Sequence, residues 1–230
     1  MDEDLLRRWQ AVGEGMARAA SRAGRDPAGV ALVAVSKTRP AADIEAAISA
    51  GQLDFGENYA QELREKMAAV RDPRVRWHFI GRLQTNKVKY LVGEVALIHS
   101  VDSVNLFSEL ERRAAAKDCV QDFLIEVNLG GEESKSGVAE SGLAELIAAA
   151  MKQTHLRLRG LMTMPPYDPD PELSRPFYRR LGEVRDREQE RFGKGLELRE
   201  LSMGLSHDYG VAISEGATLV RVGTAIFGAR

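Results

Sequence analysis

A chain of 230 residues, 44% hydrophobic and 29% charged, is long enough for one sizeable core and has the composition of an ordinary globular protein. Its 34 acidic and 32 basic side chains leave a formal net charge of -2, which gives no electrostatic case for binding nucleic acid or an anionic membrane. The single cysteine, Cys119, excludes an internal disulfide, and no apolar run approaches the ~20 residues of a membrane helix, so a cytoplasmic protein is expected.

The opening segment, from about Asp4 to Ala23, carries Leu5, Trp9, Val12 and Met16 at helical spacing, and Gly24 and Pro27 stop it. Val30 to Val35 follow as six apolar residues without a polar break, the mark of a strand buried on both faces. Side chains alternate along a strand, so Ala31, Val33, Val35 and Lys37 share one side. An ammonium group therefore stands at the carboxyl end of a buried strand, where α/β folds build their sites. Desolvation there frees a lysine amine to attack a carbonyl. The alternative is a lysine that ends the strand and reaches into water.

The pattern then alternates. A helix is expected over Pro40–Ala50, a short strand over Leu53–Gly56 and a helix over Asn58–Val70. Next come a strand at Trp77–Gly81, a helix at Gln84–Val92, a strand at Val95–His99 and a helix at Ser103–Lys117. A strand at Asp122–Leu129 precedes a helix at Ser141–Lys152, and a strand at Leu156–Met164 precedes a helix at Pro171–Phe192. The series closes with a strand at Leu198–Met203, a short helix at Ser206–Glu215 and a strand at Leu219–Val222. Eight strands alternating with helices predict a single (β/α)8 barrel domain over residues 1–230, with an extra helix at its start. Four histidines, His78, His99, His155 and His207, lack metal-ligand spacing and read as structural, so no metal is expected.

In such a barrel the carboxyl ends of the strands form the site, and the turns after strands seven and eight commonly hold phosphate. Ser202-Met203-Gly204-Leu205-Ser206 offers hydroxyls and backbone N–H groups beside an expected helix start, and Gly223-Thr224 offers a close backbone approach and a further donor. A phosphorylated aldehyde would satisfy both turns and the lysine, and pyridoxal 5′-phosphate (PLP) is the obvious candidate.

Six motifs in order sharpen this: Ala34-Val35-Ser36-Lys37, Phe55-Gly56-Glu57-Asn58-Tyr59, the run from Trp77 to Lys87, Gly160 to Met164, Ser202 to Asp208, and Arg221 to Gly228. Together they resemble the YggS/PROSC family of PLP homeostasis proteins over nearly the whole chain. The resemblance implies a fold-type III PLP barrel, like the barrel domain of alanine racemase without its second domain. It makes Lys37 the Schiff-base lysine, puts Ser202, Ser206, Gly223 and Thr224 on the phosphate, sets Arg221 beside the pyridine nitrogen, and turns Asn58 toward the ring or its 3′-hydroxyl. The family commonly differs at Leu205, His207 and Tyr209, changes that alter the rim and remove no phosphate donor. It also has a loop matching Gly130–Gly137, which reads as a solvated surface loop, with gating of the site or capture of free PLP by Lys135 as the alternative.

Leu219, Arg221 and Gly223 share a strand face, so Arg221 reaches the site from the barrel wall. A permanent cation beside the pyridine nitrogen disfavours its protonation and makes PLP a weaker electron sink. The alternative for Arg221 is a wall ion pair with Glu126 or Glu57. Three functions remain in view. The first is a PLP-binding protein in vitamin B6 homeostasis without robust catalysis, a monomer whose partners are PLP and PLP-dependent client enzymes. The second is a PLP-dependent amino-acid racemase, which needs a second base opposite Lys37, and neither Tyr59 nor Tyr209 near the strand ends is marked as one. The third is a lysine-dependent aldolase, whose lysine would usually lie on a later strand.

Overall fold

The structure is a computed structural model that describes residues 3–131 and 136–229. Lys135 lies outside the described residues. The strands are β1 (Ala31–Val35), β2 (Asp54–Glu57), β3 (Arg76–Phe79), β4 (Leu97–Val101), β5 (Gln121–Asn128), β6 (Val138–Ala139), β7 (Leu156–Met162), β8 (Glu200–Ser202) and β9 (Leu219–Val222). All pairings are parallel, in the order β4-β3-β2-β1-β9-β8-β7-β5-β6, and an added β4–β5 pairing closes eight of the strands into a ring. The two-residue β6 hangs on the outer end of β5. This is the (β/α)8 barrel that the alternation predicts.

β2, β4 and β9 are buried on both faces throughout and β1 toward its carboxyl end, which is why a run such as Val30–Val35 lacks strict alternation. Val33, Leu97, Leu124, Met162 and Leu219 form a cluster of their own inside the ring. Phe55, Phe79, Ile98 and Phe123 belong to the larger core that packs beneath the helices. The helices are α1 (Glu3–Arg22), α2 (Ala41–Ser49), α3 (Ala60–Ala69), α4 (Val104–Ala116), α5 (Glu140–Ala150), α6 (Arg175–Phe192), α7 (Tyr209–Ser214) and α8 (Thr224–Phe227). The extra helix α1 buries Leu5, Val12, Met16 and Ala20 and lies against α7 and α8. Arg8 Nε fastens it by donating to the Ile226 carbonyl at 2.8 Å.

Several elements differ from the sequence expectation, among them the following four. Thr85–Tyr90 is a 3-10 stretch and not an α-helix, with Lys87 N–H bonded back three residues to the Gln84 carbonyl. β6 is too short to carry a periodicity, and it was not expected. The strand expected over Leu198–Met203 narrows to Glu200–Ser202. The helix expected from Ser206 begins at Tyr209, because Asp208 turns its carboxylate back onto the Leu205 N–H at 2.6 Å and closes residues 205–208 as a turn.

That turn depends on Gly204. Its φ is +93°, its carbonyl accepts from Arg221 N–H at 2.9 Å, and an added Cβ would lie 2.5 Å from the Ala212 Cβ. Gly204→Ala combines a left-handed backbone penalty with overpacking, so it is expected to cost about 2–4 kcal/mol. Urea unfolding followed by circular dichroism checks this, and an unchanged midpoint would refute it.

Candidate functional site

The carboxyl ends of the barrel strands enclose a cavity of about 420 Å³. Lys37, Asn58, Ser206, Arg221, Gly223 and Thr224 all line it, so the fold brings together every residue assigned from the sequence except Ser202. Ile80, Met164, Leu205 and Phe227 supply apolar wall, and Tyr167 and His207 meet at the rim with ring centroids 4.9 Å apart. The sequence placed Leu205 and His207 at the rim and assigned none of these six a contact to the cofactor. Ile80 was nonetheless reachable by counting alternation past His78 on β3.

Lys37 sits in the turn just after β1, and this turn is clamped from outside the barrel. Lys66 of α3 is buried and donates from Nζ to the Ser36 carbonyl at 2.5 Å, to Glu57 Oε1 at 2.7 Å and to Glu62 Oε1 at 2.7 Å. Ser36 Oγ donates to the same Glu57 oxygen at 2.6 Å, and Thr38 N–H donates to Glu62 at 2.5 Å. Thr38 adopts φ +63°, uncommon for a β-branched residue, and the Glu62 bond holds it there. One buried ammonium and two carboxylates thus fix the backbone on both sides of Lys37. Burial pushes the Glu57 carboxyl up, opposed by its hydrogen bonds from Lys66 and Ser36.

The turns after β8 and β9 meet through Ser206, whose Oγ accepts from Gly223 N–H at 3.1 Å and from Ala225 N–H at 3.3 Å. Gly223 lies where an added Cβ would crowd the Val35 carbonyl at 3.2 Å, so the glycine permits the close approach of β9 to β1. Asp208 anchors the first turn from below, accepting from Ser174 Oγ at 2.9 Å and Tyr178 OH at 2.7 Å. Burial, and then the Asp208 charge, push the Tyr178 phenol well up, so it stays a neutral donor.

Ser202 corrects the sequence reading. Its side chain points into the barrel and is fully buried, and its Oγ accepts from Arg221 Nη1 at 2.5 Å and lies 2.8 Å from His99 Nδ1. A hydroxyl so engaged one layer beneath the cavity does not present itself to a phosphate. Arg221 also differs from the ion-pair alternative. Its guanidinium donates to the Ser202 carbonyl at 2.7 Å and the Thr163 carbonyl at 3.0 Å. Glu57 faces α3 instead, and Glu126 takes a hydrogen bond from Ser136 at 2.8 Å. Asn58 Oδ1 is buried and lacks a hydrogen-bond partner among the described residues, an acceptor left for something in the cavity.

Comparison with known proteins places this geometry. The sequence profile of the alanine racemase N-terminal domain matches residues 10–230. A protein of Aquifex aeolicus called pyridoxal phosphate homeostasis protein is 48% identical over 223 residues, 97% of this chain and 97% of its own. The solved structure of PipY from Synechococcus elongatus with PLP bound superposes with a TM-score of 0.83 at 35% identity, covering 93% of this chain and 100% of PipY. Alanine racemase from Corynebacterium glutamicum shares the fold alone, with a TM-score of 0.65 at 14% identity over 96% of this chain and 61% of the racemase.

The clamp generates a prediction. Lys66→Met strands the Glu57 carboxylate in the interior and is expected to cost about 3–5 kcal/mol at pH 8. Glu57 then titrates at a folded-state value still further above its unfolded one. Its contribution is fully present below the unfolded value and is lost as pH rises through the folded one. The variant should therefore regain stability relative to the parent between pH 8 and pH 5. Urea midpoints at the two pH values check this, and a gap that widens on acidification would contradict it.

Proposed function

The chain belongs to the alanine racemase N-terminal domain family, among the pyridoxal phosphate homeostasis proteins, and from that premise we propose that it holds PLP on Lys37 and keeps it for delivery instead of turning over substrate. The observation that carries this reading is the convergence of Lys37, the Ser206–Gly223 turns and Arg221 on one cavity. The residues present fit the group. The orphaned Asn58 Oδ1 would offer an acceptor for its ring substituents, and Ser206 and Thr224 on the paired turns would offer hydroxyl donors for its phosphate.

When bound, PLP supplies an aldehyde that condenses with amines and a pyridine ring that draws electrons. Lys37 would be the amine that holds that aldehyde. Arg221 would stand beside the ring nitrogen as a donor that cannot surrender its proton, and so would disfavour protonation of the ring and weaken it as an electron sink. This disposition suits storage better than carbanion chemistry. The single cysteine suits the cytoplasm, where PLP-dependent client enzymes would receive the cofactor from a monomeric barrel over residues 1–230.

A second reading, an amino-acid racemase, has one observation in its favour. Tyr167 and His207 at the rim are ionisable groups on the cavity, whereas Tyr59 and Tyr209 do not line it. Against it, Tyr167 is 76% exposed, and a second base needs a fixed position across from Lys37.

Adding PLP to the cofactor-free chain should produce a visible absorption band that Lys37→Ala lacks. Incubation of the loaded chain with L-amino acids should leave their optical rotation unchanged. Rapid loss of rotation that both Lys37→Ala and Tyr167→Phe abolish would replace the carrier with a racemase.

A further inference from the structure

A line of buried side chains runs through the barrel from one mouth to the other. Arg221 Nη1 donates to Ser202 Oγ at 2.5 Å, and Ser202 Oγ lies 2.8 Å from His99 Nδ1. His99 Nε2 lies 2.9 Å from His78 Nδ1, and His78 Nε2 lies 3.0 Å from Asp54 Oδ1. Asp54 in turn accepts from Arg76 Nε at 2.6 Å, and both border a second cavity of about 440 Å³ at the amino ends of the strands. Ser202, His99, His78, Asp54 and Arg221 are all buried.

When both imidazoles are neutral, the two ends fix the direction of every bond between them. A guanidinium only donates and a carboxylate only accepts. His78 must therefore carry its proton on Nε2, toward Asp54, and turn a lone pair on Nδ1 to His99. His99 must then carry its proton on Nε2 and turn a lone pair on Nδ1 to Ser202. The Ser202 hydroxyl donates to His99, and its own lone pairs face Arg221. With neutral imidazoles, any other arrangement sets donor against donor or acceptor against acceptor in the interior.

We propose that His99, His78 and Asp54 are positioning residues for Arg221, a one-way relay that keeps the Ser202 hydroxyl turned to accept from the guanidinium. Arg221 is held from three sides, by this hydroxyl, the Ser202 carbonyl and the Thr163 carbonyl, and keeps donors for the cavity it lines. The role toward the ring nitrogen rests on the PLP reading above. Burial holds the His99 imidazolium well below its ordinary range, in keeping with a neutral link.

Imidazole 15N chemical shifts of the cofactor-free chain test the relay without PLP, and only four histidines need assigning. Both His78 and His99 should be neutral at pH 7 with the proton on Nε2. A proton on Nδ1 of either ring, or a charged ring, would overturn the relay. His99→Leu removes the acceptor from Ser202 and should weaken PLP binding about three- to tenfold, the range of one hydrogen bond, with Lys37 still the residue trapped by borohydride. His99→Asn, whose Oδ1 stands in for Nδ1, should recover most of that loss. Equal losses in the two variants, or an unchanged affinity in a folded His99→Leu chain, would refute the positioning role. Failure of the parent chain to bind PLP would sink the carrier reading instead, and the tautomers would still decide the relay.

Discussion

A guanidinium enclosed in a barrel has to be satisfied by whatever the walls present. Arg221 takes two backbone carbonyls and a hydroxyl, and among the described residues it makes no ion pair. Enclosing an ion costs several kcal/mol unless its donors are met, so the strand ends around it are committed to that task. Thr163 just past β7 and Ser202 on β8 turn their carbonyls to the guanidinium. Glu126 adds only a distant attraction. A cation held by neutral groups keeps its full charge for the cavity above it, and this is the property the PLP reading depends on.

The two lysines near the site receive opposite treatment. Lys66, on a helix, is enclosed and compensated by Glu57 and Glu62, and its three hydrogen bonds go to fixing backbone and carboxylates. Lys37, on the turn that Lys66 holds, lines the cavity. The stiffness of one ammonium site sets where the other begins. Ser36 links them, through its carbonyl to Lys66 and its hydroxyl to Glu57.

β1 was legible because it shows as an apolar run, whereas β2, which reads Asp-Phe-Gly-Glu, was legible only from its place in the alternation with helices. Lys37 was legible because it continues the inward face of β1. Ser202 was assigned to the phosphate from the turn it opens and from the family resemblance, and neither reports that its hydroxyl is engaged by Arg221. The pairing of His78 with His99 left no local trace, since they are 21 residues apart on separate strands and only the barrel's register sets them side by side. Nothing in the sequence around Lys66 announces that Glu57 waits behind it.

The account stands on a covalent link between Lys37 and PLP. Borohydride reduction of the PLP-loaded chain followed by peptide mass mapping tests that link most directly. The account predicts a phosphopyridoxyl group on the peptide that contains Lys37, and on that lysine alone at one equivalent of PLP. An unmodified Lys37 in a chain shown to be saturated with PLP would contradict it.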